Sequence, residues 1–208
     1  MLEAIALPDT SRRRLVRSSS GIEPTEARIL GSAVALFGAK GYASTSIRDI
    51  CTAANVCRPT LYYFYGSKEG LLHAVLKQTT EQVNRLIATA LSGDDSFQVR
   101  CTRLACSLFR YGVEHPDYCR FALFVSRSNS GAVQADGIAR IRSEAIQLVA
   151  DAAAGRFPSC EGRDPRLFAL IFTGAMTHAL ESFFITGSPL LTPNCAEDIV
   201  AALFRGWA

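Results

Sequence analysis

The chain has 208 residues, of which 49% are hydrophobic and 20% charged, and its formal net charge is +3. This length suffices for one large domain or two small ones, and the composition excludes a disordered chain and a disulfide-stapled miniprotein. Residues 1–68 carry nine basic and five acidic side chains, whereas the remaining 140 residues carry thirteen and fourteen. The basic N-terminal third favours contact with a polyanion, and solvated charges without a partner are the alternative.

Cysteine usage and hydropathy indicate a soluble cytoplasmic protein. The seven cysteines are odd in number and widely spread, and residues 1–8 lack the basic start of a signal peptide. We therefore expect free thiols in a reducing cytoplasm. The most apolar run, Leu167–Met176, is soon followed by His178 and Glu181. Ten residues are too few for a membrane span, so no membrane partner is expected.

The first segment, residues 1–22, is rich in arginine and serine. It contains Arg12, Arg13, Arg14 and Arg17 followed by a Ser-Ser-Ser-Gly run, a composition that predicts a flexible basic arm. Such an arm either enters the minor groove of a bound duplex or remains a solvated tail. The sequence leaves both possibilities open.

Three helices are predicted after the arm, because apolar residues recur there at three- and four-residue spacings. The first extends from about Pro24 to Gly41, and the second is short and is capped by Ser46. The third covers about Arg58–Phe64, and Asn55 lies in the tight turn that precedes it. The last two helices therefore form a helix-turn-helix, whose second helix would lie in the major groove of DNA.

The same spacing continues to the C-terminus and predicts a larger helical region. Six further helices give about nine in total and an all-α fold. They are expected at about 68–91, 96–115, 116–126, 133–156, 167–185 and 196–207, with loops at 128–131 and 158–165.

The last two predicted helices are apolar over most of their circumference. Such wide coverage needs more partner surface than the core of one chain easily supplies. We interpret the pair as a dimer interface that forms a four-helix bundle with its symmetry mate, and burial within one chain is the alternative. The predicted interface residues are Leu167, Ile171, Ala175, Ala179, Phe183, Ile199, Leu203 and Phe204.

A series of residues between Thr25 and Leu72 has a characteristic order and spacing. They are Ala33, Leu36-Phe37, Gly41-Tyr42, Thr45, Ile50, Ala53-Ala54, Val56, Thr60-Leu61-Tyr62-Tyr63 and Ser67-Lys68-Glu69-Gly70-Leu71-Leu72. This segment resembles the TetR family of one-component transcriptional regulators. The chain departs from the family pattern at Asn55, where a turn glycine is common, and at Cys57, where a capping serine is usual. The rest of the chain matches only in length and helical character.

The resemblance implies a helix-turn-helix DNA-binding domain over residues 23–70 and an effector-binding and dimerisation domain over residues 71–208. It implies phosphate contacts at the start of the second helix, base contacts at the start of the third, and backbone contacts beyond. Arg48 would contact a base edge or a phosphate, with a solvated charge as the alternative. The DNA-binding residues expected in this way are Thr45, Ser46, Arg48, Arg58, Pro59, Thr60, Tyr62, Tyr63 and Lys68.

The resemblance also implies a small-molecule effector, which we expect to be largely apolar. Candidate effector-binding residues lie on helices that would line an interior cavity, although core packing is the alternative for the aromatic residues. For His178, a hydrogen-bonded core or interface position is the alternative. The candidates are Arg103, Phe109, Arg110, Phe121, Phe124 and His178.

Together these features predict a homodimeric, ligand-responsive regulator that binds operator DNA, and we favour a repressor that its effector releases. One alternative is a helical adaptor whose DNA-reading head is degenerate. Another is a thiol-sensing variant, in which oxidation of Cys57 beside Arg58 blocks DNA binding.

An enzyme is not expected. The sequence has no Gly-x-Ser-x-Gly elbow, phosphate loop, Rossmann glycine pattern or His-Glu-x-x-His motif. Its three histidines lie in different segments and it has no Cys-x-x-Cys, which argues against a zinc site. We therefore expect no catalytic residue, no cofactor and no metal.

Overall fold

A computed structural model describes residues 24–127, 132–154, 164–187 and 191–207. Within these ranges the chain forms nine α-helices and no strand, which confirms the all-α prediction. The helices are α1 (Thr25–Lys40), α2 (Ile47–Ala54), α3 (Arg58–Tyr65), α4 (Lys68–Leu91), α5 (Phe97–Glu114), α6 (Pro116–Arg127), α7 (Ala132–Ala153), α8 (Pro165–Thr186) and α9 (Pro193–Trp207). The predicted arm and the greater part of both predicted loops lie outside the described residues.

The two C-terminal helices begin earlier than the sequence predicts. α8 starts at Pro165 and α9 at Pro193, because proline is tolerated in the first turn, where its missing N–H has no helical partner. The Asp164 carboxylate caps α8 by accepting from the Arg166 N–H at 2.8 Å. Pro165, the last residue of the predicted loop 158–165, therefore belongs to α8.

Helix α8 is apolar over a longer stretch than the ten-residue run that the sequence analysis considered. Its 22 residues have a window of mean hydropathy 1.4, and within the described residues it is the one helix long and apolar enough to cross a membrane. Only 28% of that window is buried in the chain. The uninterrupted apolar run, Leu167–Met176, covers less than half of α8. The core helix of a soluble protein meets the same criteria of length and composition.

Buried residues form two hydrophobic clusters, and α4 contributes to both. The N-terminal cluster packs α1, α2, α3 and the start of α4 around the fully buried Phe37, Ile50 and Leu61. The larger cluster joins the C-terminal end of α4 to α5, α7, α8 and α9. The long α4 therefore connects the helix-turn-helix to the rest of the molecule.

Helix α6 also reaches the N-terminal cluster, through Phe121. This ring is fully buried, and its centroid lies 6.2 Å from that of Phe37 in α1. The backbones of the two helices approach closely at Gly38, where a Cβ atom would lie 3.0 Å from the Asp117 carbonyl oxygen and 3.1 Å from the Phe121 nitrogen. Glycine permits this approach.

Two arginines cap the C-terminal end of α4. The buried Arg100 donates from Nη1 to the Leu91 carbonyl at 2.8 Å, and Arg103 donates to the Ser92 carbonyl at 3.2 Å. Arg103 also forms an ion pair with Asp95. Cations at a helix C-terminus satisfy unpaired carbonyls and oppose the negative end of the helix dipole.

The core of the chain itself uses part of the predicted dimer interface. Ala179 is buried, and the Phe204 ring lies 5.5 Å from Phe168 and 5.8 Å from Phe97. Four further predicted residues are partly buried: Ala175, Phe183, Ile199 and Leu203. The prediction therefore fails for Ala179, because this residue of α8 is buried in the larger cluster of its own chain. Leu167 and Ile171 remain exposed.

Candidate nucleic-acid interface and effector cavity

The first turn of α2 is held by a reciprocal capping box. The Ser46 hydroxyl oxygen accepts from the Asp49 N–H at 3.1 Å, and the Asp49 carboxylate accepts from the Ser46 N–H at 3.0 Å. Hydrogen bonding to Ser46 lowers the pKa of Asp49. Both Ser46 and Arg48 are exposed. Since the Ser46 oxygen only accepts within the cap, its proton remains available to an outside acceptor.

The turn between α2 and α3 has the expected backbone conformation. Asn55 has φ 51° and ψ 54°, the left-handed conformation that asparagine tolerates better than most residues. Cys57 follows as the N-cap of α3 and makes no side-chain cap bond to the helix backbone. Its Sγ instead lies 3.1 Å from the Thr60 hydroxyl, and this hydrogen bond lowers the pKa of the exposed Cys57 thiol.

Most of the polar and aromatic side chains of α3 face outward. Leu61 is the buried residue of this helix and anchors it to the N-terminal cluster. Arg58 and Pro59 are exposed, and Tyr63 is 86% exposed. A short helix that buries only one side chain and exposes aromatic rings is suited to binding another molecule.

Phe64 lies on the same exposed surface, although it is absent from the predicted DNA-binding residues. Its ring meets that of Tyr63 edge to face at 5.3 Å, and it is exposed although it is fully apolar. Phe64 follows the buried Leu61 by three residues, a spacing typical of one helix face, so its exposure depends on how α3 packs against its neighbours.

The end of α3 is fixed to α1 and α4. The Tyr65 hydroxyl donates to the Glu26 carbonyl at 3.2 Å, and burial raises the pKa of Tyr65 to about 12. The Lys68 ammonium lies 4.3 Å from the centre of the Tyr42 ring, and partial burial lowers its pKa. At Gly70, a Cβ atom would collide with the Tyr65 carbonyl oxygen.

The structure contradicts the phosphate contact predicted for the Thr45 side chain. Thr45 is buried, and its hydroxyl donates to the Gly41 carbonyl at 2.7 Å. Its N–H donates to the Tyr42 carbonyl at 3.3 Å. Thr45 therefore closes the loop between α1 and α2, while the neighbouring Ser46 presents its hydroxyl to solvent.

A cavity of about 540 Å³ lies among helices α4 to α8. Its lining is mostly apolar and includes Val83, Leu104, Leu123, Ile146, Phe172 and Met176. Two tyrosines at the wall are held by hydrogen bonds, from the Tyr111 hydroxyl to Gln82 Oε1 at 2.6 Å and from the Tyr118 hydroxyl to Gln78 Oε1 at 3.3 Å. Burial raises the pKa of Cys119, another lining residue, to about 12.

One of the predicted effector residues, His178, lines this cavity. Its side chain is 85% exposed, and its Nδ1 lies 3.9 Å from Glu181 Oε2, so it is not a core histidine. Arg103 and Arg110 line a separate cleft of about 440 Å³. Phe109 is buried in the larger cluster and Phe121 in the N-terminal one, which contradicts their predicted place at the cavity. The side chain of Phe124 lies outside the described residues.

Comparison with known sequences identifies the N-terminal segment. Residues 29–75 match the family described as bacterial regulatory proteins of the tetR family. YttP of Bacillus subtilis, named as a probable HTH-type transcriptional regulator, is 30% identical over 99 residues, which are 47% of this chain and 48% of that protein. An HTH-type transcriptional repressor of Mycobacterium tuberculosis is 34% identical over 87 residues, 42% of this chain and 45% of that protein. The chain spans about half the length of these curated relatives.

Similarity to solved structures extends over most of the chain. The crystal structure of the transcriptional regulator FadR from Bacillus subtilis in complex with stearoyl-CoA matches with a TM-score of 0.77. The match covers 86% of this chain and 98% of that one at 16% identity. At this identity the comparison shows a shared fold.

Proposed function

We propose that this chain, whose residues 29–75 belong to the TetR family of bacterial regulatory proteins, regulates transcription as a homodimer that binds operator DNA. The observation that carries this proposal is the exposed surface of α3, a helix whose end contacts α1 and α4. Arg58, Pro59 and Tyr63 are exposed on it, while Leu61 holds the helix to the core. A helix of this kind fits the major groove, where side chains reach base edges.

The starts of α2 and α3 provide the expected DNA contacts. Ser46 donates its free hydroxyl proton to a phosphate, and the N–H groups of Ile47 and Arg48, which precede the Asp49 N–H used by the cap, point to the same anion. Arg58 donates both guanidinium arms to a guanine, and Pro59 contacts a neighbouring base edge. Arg48, Tyr62 and Lys68 bind the phosphate backbone, which sets the register of the protein on the duplex.

We further propose that the regulator is a repressor released by an effector with a long apolar part. The cavity has the size of ordinary small-molecule sites, which are about 300–1,000 Å³, and a mostly apolar lining. The named repressor among the relatives and the acyl-CoA complex of FadR support this choice. Stearoyl-CoA is therefore the first effector to test.

Helix α6 is suited to transmit effector binding to the DNA-binding helices. Tyr118 and Ala122 of α6 line the cavity, whereas Phe121 packs into the N-terminal cluster against α1. An effector that prefers a displaced α6 therefore also favours a different position of α1. This displacement changes the distance between the two helix-turn-helix domains of the dimer. An affinity difference of about 3 kcal/mol between the two positions changes their ratio more than a hundredfold.

The test is binding of the purified protein to DNA selected from its own genome, measured by fluorescence anisotropy. Arg58→Ala should weaken specific binding by about tenfold to a hundredfold, since a bidentate base contact contributes about 1–3 kcal/mol. Arg140→Ala in α7 is the matched control, because this exposed arginine pairs with Glu144 of its own helix, far from α3 in the chain. Equal affinities of the two variants would contradict the assigned role of α3.

The effector is tested in the same assay. Stearoyl-CoA added to the preformed complex should release the DNA, and CoA without the acyl chain should not, because the cavity lining is apolar. Release by CoA alone would show that the acyl chain does not provide the binding energy.

A further inference from the structure

A second concave site lies between α4 and α5. This cleft, of about 440 Å³, is lined by the last turns of α4 and by one face of α5. Three of its residues are arginines, Arg85 of α4 and Arg103 and Arg110 of α5, and all three are exposed. We define the arginine cleft by the lining residues Arg85, Thr89, Arg103, Ser107, Arg110 and Glu114.

The α5 wall of the arginine cleft is a regular stripe of polar side chains. Arg103, Ser107, Arg110 and Glu114 follow one another at intervals of four, three and four residues, which places them on one face of a helix. Arg85 lies on the opposite wall, in α4. Two neighbouring helices therefore contribute guanidinium groups to the same cleft.

Two of the three guanidinium groups have no counter-ion in the described part of the chain. Arg103 pairs with Asp95 and donates to the Ser92 carbonyl at 3.2 Å, so it is already bound to the end of α4. Arg85 and Arg110 form no hydrogen bond or ion pair with any residue that the structure describes. Because like charges in one cleft repel each other, an anion that enters the cleft is attracted by both.

The lining offers more hydrogen-bond donors than acceptors. Each guanidinium group has several N–H donors, and the half-buried Ser107 adds a hydroxyl that makes no hydrogen bond with the described residues. In the same helix, by contrast, the Thr102 hydroxyl donates to the Gln98 carbonyl at 3.1 Å. Glu114 is the one carboxylate of the described lining and forms no ion pair there. Such a lining suits an anion with several acceptor oxygens.

We propose that the arginine cleft binds a phosphorylated group through Arg85, Arg110 and Ser107. A phosphate ester carries about two negative charges at neutral pH, which matches the two free guanidinium groups. Its oxygens accept paired N–H donors in the fork geometry of arginine. The volume of the cleft lies within the range of ordinary small-molecule sites, about 300–1,000 Å³. The cleft binds this group whether or not the chain binds DNA.

The arginine cleft is a neighbour of the effector cavity, because Tyr111 lines both. The Tyr111 hydroxyl donates to Gln82 Oε1 of α4 at 2.6 Å, which fixes the ring between the two helices. The phosphorylated group therefore belongs either to a ligand whose apolar part fills the cavity or to a separate metabolite.

The experiment titrates inorganic pyrophosphate into the full chain at low salt and measures binding by isothermal titration calorimetry. Arg85→Gln with Arg110→Gln should weaken binding at least about tenfold, because both free guanidinium groups are lost. Arg140→Gln with Arg166→Gln is the matched control, since it removes the same charge from exposed arginines outside the cleft. Glu114→Gln should instead tighten binding, because it removes a like charge from the cleft. A variant that fails to fold cannot produce this gain.

Equal loss of affinity in the cleft variant and its control would overturn the inference, since pyrophosphate would then respond only to net charge. Absence of binding by the parent chain would overturn it too. Titrations in the presence of pyrophosphate distinguish the two sources of the phosphate. Stearoyl-CoA should bind more weakly and stearate equally well if the effector places its phosphates in the cleft, and both should keep their affinities if the cleft binds a separate metabolite. Failure of stearoyl-CoA to bind at all would contradict the proposed effector and leave the pyrophosphate comparison valid.

Discussion

Ser46 stabilises the fold through its cap and is also available to DNA. Ser46→Ala removes the hydrogen bond that the capping hydroxyl accepts and should lower the free energy of unfolding by about 1 kcal/mol. Ser143→Ala, at an exposed position inside α7, is the control and should cost nothing, since alanine favours helices. Urea unfolding measures both changes, and equal stabilities would contradict the role of the cap.

The cap also makes stability depend on pH. Because the pKa of Asp49 is lowered in the folded state, its contribution is fully present above the ordinary carboxylate pKa. It is lost as pH falls through the lower folded pKa. Asp49→Asn removes the titrating carboxylate, so the difference in stability between this variant and the parent should shrink in acid, below about pH 4. Urea unfolding from about pH 7 to about pH 3 measures it, and a difference that grows in acid would exclude this linkage.

Cys57 should be the most reactive of the six cysteines that the structure describes. It is exposed with a lowered pKa, whereas burial raises the pKa of Cys51, Cys101, Cys106, Cys119 and Cys195. Iodoacetamide at neutral pH should therefore modify Cys57 first among them, because the thiolate is the nucleophile. Peptide mass spectrometry measures the order, and Thr60→Val should slow the reaction. The thiol-sensing alternative fails if Cys57→Ser leaves peroxide sensitivity of DNA binding unchanged.

At the scale of helices, the sequence predicted features that depend on local hydrogen bonds better than features that depend on how helices pack together. Ser46 and Asn55 act through their own neighbours, so the sequence predicted both the start of α2 and its end. The cavity residues depend on how whole helices pack. Leu108 and Phe109 are adjacent in α5, but Leu108 lines the cavity and Phe109 enters the core. Both residues are apolar, and only the position of the neighbouring helices distinguishes them.

The contact between α1 and α6 can be tested with two glycines of the same helix. Gly31→Ala should stabilise the protein by about 1 kcal/mol, because its Cβ meets no described atom within 4 Å and alanine favours helices. Gly38→Ala should lose that gain or reverse it, because its Cβ presses on backbone atoms of α6 that cannot rotate away. Thermal unfolding compares the two, and an equal rise in Tm would show that α6 yields freely.

At the scale of the whole molecule, the distribution of charged residues is more informative than the net charge of +3. The charge is concentrated in the third of the chain that contains the exposed starts of α2 and α3, and the proposed homodimer would present that third twice. The cavity proposed for the effector has no comparable signal in the sequence. Five helices build this cavity, and the exposure of apolar residues along α8 depends on how the helices pack within the chain.

The salt dependence of DNA binding should therefore depend on how many helix-turn-helix domains contact the duplex. If each domain neutralises about three phosphates, the dimer releases about six counterions, and the slope of log K against log salt is about −5. Leu167→Glu with Ile171→Glu, at two exposed residues of the predicted dimer interface in α8, should give about half that slope, since one subunit then binds alone. Val99→Glu with Val113→Glu, at two half-exposed valines of α5, is the control and should keep the full slope. Anisotropy titrations at increasing salt measure the slopes. Equal slopes for the α8 variant and the parent would mean that a single subunit accounts for all phosphate contacts.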